Sequence, residues 1–164
     1  MKISGVLLVV MMLLAPASPC ASQDNLAEPS AQDLLARIDR EGSRAVVRDL
    51  WAREPSFEHV TRQIETGAPD WLRIATALRP FTDGAAALSL DYALARALPR
   101  APGAILALVD RGFVLDSICT SPFIEAEQGV AEAYAREAIA ALMRVDDPSL
   151  KPRALKCAEQ LRLR

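Results

Sequence analysis

Residues 70–98 read DWLRIATALRPFTDGAAALSLDYALARAL, and the spacing of their apolar residues decides the fold class. Trp71, Ile74, Ala75 and Leu78 fall at i, i+3, i+4 and i+7; Leu90, Leu94 and Leu98 follow, with Ala86, Ala93 and Ala97 beside them. This is the period of two amphipathic helices. Pro80 ends the first, Thr82 or Asp83 can cap the second, and the alanines leave room for close contact. The stretch therefore predicts a helical hairpin at the centre of the core, and it carries no catalytic motif.

The same period continues on both sides. Ser30 caps a first helix, with Asp33 three residues on and Ala31, Leu34, Leu35 and Ile38 on one face. Gly42 and Ser43 separate it from a second, whose Val46, Val47, Leu50 and Trp51 share a face. Glu54-Pro55 breaks that helix, and Ser56 begins a third with Phe57, Val60, Thr61 and Ile64 inward, closed by Gly67 and Pro69. Beyond Leu98, Pro102 opens a segment to about Arg111, ended by Gly112. Periodicity leaves Phe113 to Cys119 undecided between helix and extended chain. Ser121-Pro122 reads as the start of a helix reaching Arg144, and Asp147-Pro148-Ser149 turns the chain into a last helix bearing Leu150, Ala154, Cys157 and Leu161.

The expectation is an all-α fold, a compact array of about eight short helices arranged as an orthogonal bundle or as HEAT-like helical pairs, with one disulfide. Hydrophobic content of 51% against 24% charged residues supports a packed core. Lys2, the apolar run Ile3 to Leu14 and the small residues after it have the layout of a secretory signal peptide, assigned to residues 1–22, with a polar leader at 23–29 and a single helical domain at 30–164. The apolar run is too short to span a membrane. Cleavage after Ala17 keeps Cys20 and cleavage after Ser22 removes it; a lipid anchor at Cys20 is a third possibility, disfavoured by Pro19 just before the cysteine.

Export to an oxidising compartment suggests that Cys119 and Cys157 pair, the alternative being two buried thiols. A straight helix from Pro122 to Arg144 would hold these cysteines about 20 Å apart along its axis. A disulfide needs Cα atoms within about 7 Å, so the helix is expected to break at Gly129.

Net charge is −2, which argues against a nucleic-acid surface. Acidic residues gather between Asp116 and Glu132, while Lys151, Arg153, Lys156, Arg162 and Arg164 crowd the last helix. Mutual pairing and a charged docking face are both consistent with this, and pairing is the simpler reading.

His59 is the only histidine and lies off its helix's apolar stripe, so it is expected to face solvent; no second imidazole completes a zinc pattern and no G-x-S-x-G places a nucleophile. The glycines form neither a dinucleotide fingerprint nor a P-loop, so no cofactor is implied. Asp116, Glu125 and Glu127 are the candidate acids for a carboxylate-dependent glycan hydrolase. Trp51 and Trp71 share helix faces with valine, leucine and isoleucine, which places both in the core. The function expected is that of an exported, non-catalytic interaction protein of the bacterial envelope, inhibitor or immunity-type in one version, whose partner is another envelope or secreted protein. A cell-wall glycan hydrolase is the alternative.

Overall fold

In a computed structural model, which describes residues 28–163, the first helix starts where Ser30 directs it. The expected signal peptide, the choices at Cys20 and most of the polar leader lie outside the described residues. Helix α1 spans Ala31–Glu41, and the Ser30 hydroxyl accepts from the Asp33 backbone N–H while donating to the Asp33 carboxylate. Helix α2 (Ser43–Ala52) buries Val46, Val47 and Leu50. Helix α3 runs over Glu54–Ile64. Pro55, read from sequence as a breaker, sits in its first turn, where a missing N–H goes unnoticed.

Helix α4 (Pro69–Leu78) passes into a 3-10 turn at Arg79–Phe81, and α5 follows at Gly84–Ala97. Both halves of the deciding stretch are helical, but they do not form the packed hairpin expected of them. Helix α5 lies mainly against α3 and a later helix, α7 (Leu115–Ile118), whereas α4 lies against α1, α2 and α3. The reason is visible in α5 itself. Ala93, Leu94, Ala95 and Ala97 are all buried, so near its C-terminus the helix is covered over more than half of its circumference, with half-buried Tyr92 and Arg96 on the remaining side. It is a central helix, and its small residues let several neighbours approach.

Helix α6 is short, Pro102–Leu106, and the chain then makes one isolated bridge between Val109 and Phe113 before α7. Residues 120–128 form no helix, contrary to the Ser121-Pro122 reading. The Pro122 carbonyl instead accepts a hydrogen bond of 2.8 Å from Arg96, and the Arg96 guanidinium lies 5.6 Å from the Phe123 ring centre. Helix α8 begins at Val130 and ends at Met143, with Gly129 at φ +87° as its N-cap, the left-handed geometry that glycine adopts without cost. The chain thus turns where the cysteine argument requires. Cys119 and Cys157 lie at disulfide distance, with Cα atoms 5.1 Å apart, joining the end of α7 to α9 (Lys151–Arg162).

A single buried apolar cluster takes residues from each of the nine α-helices among the described residues, from Leu34 in α1 to Leu161 in α9. Helix α1 reaches α4, and α6 and α7 reach α9, so the array is compact and not a stack of successive pairs. No helix among the described residues is long and apolar enough to cross a membrane.

Candidate functional site

The acids picked from the sequence are not brought together in a cavity. Asp116 accepts a 2.6 Å hydrogen bond from the Gln160 side chain, and Glu125 and Glu127 stand exposed in the irregular 120–128 segment. None of the three lines the grooves at Trp51, at Arg96, at His59 or at Leu35. Among the described residues no group of three His, Cys, Asp or Glu side chains is placed to hold a metal ion.

The basic last helix reaches an acid just ahead of the 116–132 stretch, and among the described residues none of its lysines or arginines pairs with an acid inside that stretch. Arg153 pairs with Asp110 and also donates to the carbonyls of Leu106 and Val109, so it closes the end of α6 as well as neutralising a charge. Lys151 turns back to the Val145 carbonyl at 3.0 Å. Glu125, Glu127 and Glu132 have no ion-pair partner among the described residues.

His59 is buried, with only 6% of its surface exposed, which corrects the solvent-facing expectation. Its Nδ1 lies 2.7 Å from the Glu28 carboxylate and its Nε2 3.3 Å from the Pro29 carbonyl, while the ring meets Trp71 edge-on. The residues ahead of α1 fold across α3 and cover it. Helix periodicity could not show this, because the cover comes from a segment outside any helix. With acceptors at both ring nitrogens, His59 anchors the incoming chain.

The two tryptophans part company. Trp71 is 8% exposed, as a core residue should be, but Trp51 is 47% exposed. Trp51 follows Leu50 by one position, about 100° around the helix, which moves it from the buried face to its edge. That offset was the signal available in the sequence. The Trp51 ring is held edge-to-face with buried Phe57, centroids 5.0 Å apart, and the two open a groove of about 370 Å³. Glu54, Glu58 and Thr61 from α3 and Ser89 from α5 complete its lining. The α3 residues lie at helical spacing, so one face of one helix supplies the wall. Glu58 pairs with Arg62 at 3.0 Å on the surface; Glu54 has no ion-pair partner among the described residues.

A second groove, of about 680 Å³, lies between the end of α5 and α8, with Arg96, Arg100 and Arg144 on its walls. Arg96 is committed to Glu65 and to the Pro122 carbonyl. The Tyr134 hydroxyl beneath donates 2.8 Å to the Ala95 carbonyl, and burial raises its pKa well above the ordinary phenol value. The arrangement braces α8 on α5.

No known protein family, curated protein or solved structure matches this chain.

Proposed function

We propose that this chain is an exported, non-catalytic interaction protein of the bacterial envelope, periplasmic or secreted, that acts by docking on another protein. An inhibitor or immunity-type role is one concrete form. The observation that carries the reading is Trp51: a large aromatic ring, half exposed, yet fixed by contact with a buried one. A half-exposed ring braced edge-to-face on a buried one offers apolar area to a partner at a lower ordering cost than an unbraced side chain. The export half of the proposal rests on the signal-like residues 1–22 and on the bonded cysteine pair, which suits an oxidising compartment.

Capture from an envelope extract tests the reading, with the secreted form and its Trp51→Ala variant run side by side. A stoichiometric partner retained by the first and lost by the second supports it; repeated capture of none overturns it. Incubation with peptidoglycan tests the other class. Release of soluble fragments that is abolished by Glu125→Gln or Glu127→Gln would replace docking with carboxylate-dependent hydrolysis.

A further inference from the structure

We propose that the Trp51 groove takes a lysine or arginine side chain presented by the partner polypeptide. The inference rests on the docking reading above and adds the chemistry of what docks.

The first argument is the hydrogen-bonding character of the groove. Thr61 spends its hydroxyl proton on the Glu58 carbonyl at 2.9 Å, and Ser89 spends its own on the Ala85 carbonyl at 2.9 Å. Glu54 and Glu58 contribute carboxylates. Apart from the Trp51 indole N–H, the lining therefore offers acceptors. A sugar hydroxyl or a peptide amide brings donors and acceptors together, whereas an ammonium or guanidinium brings donors alone. The groove fits the donor-only group.

The second argument compares the aromatic rings of this chain. Phe81, Phe113 and Phe123 each have an arginine over the ring, from Arg44, Arg79 and Arg96 at 5.0, 5.4 and 5.6 Å. Trp51 is the better cation acceptor by ring type and has no such cation among the described residues. Its neighbour Arg53 is turned to Asp49. Glu54 and Glu58 line the groove with Trp51 and no cationic side chain does, so the place that an arginine fills at three of the four phenylalanines is here left to the partner. Arg62 does not block it, because its pair with Glu58 is solvent-exposed and easily exchanged.

The test uses the secreted form and its two indole N–H resonances in NMR, with that of buried Trp71 as internal control. A short capped peptide of alternating glycine and lysine is titrated in, against the same peptide with glutamine for lysine, and against a chitin oligosaccharide. The lysine peptide is expected to shift the Trp51 signal and leave that of Trp71 in place. Trp51→Ala and the isosteric pair Glu54→Gln with Glu58→Gln are each expected to weaken binding by on the order of tenfold, and added salt to weaken it further. Equal binding of the glutamine peptide or the sugar, a glutamine pair that binds lysine as well as wild type, or no shift with any probe overturns the proposal. The two readings fail separately. A captured partner lost by Trp51→Ala but kept by the glutamine pair leaves docking standing and removes the cation, whereas a partner kept by Trp51→Ala removes docking through this groove.

Discussion

Asp91 is buried on the central helix with Arg79 as its ionic partner, 3.5 Å from Oδ2, while Oδ1 has no hydrogen-bond partner among the described protein atoms. Burial raises the carboxyl's pKa above its ordinary value, and Arg79 and Ser117 offset that only in part. A carboxyl raised in the folded state favours folding when protonated. Its contribution is complete below the unfolded value of 3.8 and is lost as pH rises through the folded value. Asp91→Asn removes that dependence. Urea unfolding at about pH 3 and about pH 7 is therefore expected to show the variant gaining on wild type at the higher pH; a constant difference would mean that Asp91 is not destabilised by burial. Single residues were also where the sequence was hardest to read. Asp91 sits among alanines and leucines with nothing local to mark its partner, which comes from the preceding 3-10 turn. His59 depends on a segment 30 residues away. Trp51 differs from a core position only by a fraction of a helical turn.

At the scale of elements, most helices could be placed from caps and apolar spacing, because those signals are local: Ser30, Pro55, Pro69 and Pro102 each stand at or in a first turn. The exceptions arise where a contact made across the fold overrides a local preference, as when Arg96 claims the Pro122 carbonyl. Pairing of elements was less legible than their existence, since α5 offers apolar or small residues over more than half of its circumference and its sequence does not choose among neighbours. Gly67 shows how tightly the turns are fitted. It lies at φ +73° between α3 and α4, and a Cβ there would come within 2.7 Å of the Ala101 methyl. Gly129 has a similar φ and nothing within 4 Å. Gly129→Ala is expected to cost about 1 kcal/mol from backbone strain alone, and Gly67→Ala clearly more, because steric overlap is added. Chemical denaturation of the two variants together checks the order, and a larger loss at Gly129 would contradict the packing of the α3–α4 turn on Ala101.

For the whole molecule, the bond between Cys119 and Cys157 spans 38 residues of sequence. On the chain-entropy account a loop of that size contributes about 4 kcal/mol, a large share of the net stability of a domain this size. Replacing both cysteines with serine, or unfolding under reducing conditions, is expected to lower stability by about that amount in urea titrations, and a change under about 1 kcal/mol would show that packing alone holds α7 on α9. The fold class and this covalent link could be anticipated, one from periodicity and the other from the signal-like residues 1–22 and the pairing they suggest for Cys119 and Cys157. The groove at Trp51 could not, because three separate helices build it. The link also fixes what a cut can do. A protease that nicks the exposed chain at Glu125 or Glu127 opens a ring without freeing anything: both products stay tethered through sulfur, heavier than the parent by one water, until a reductant lets them drift apart.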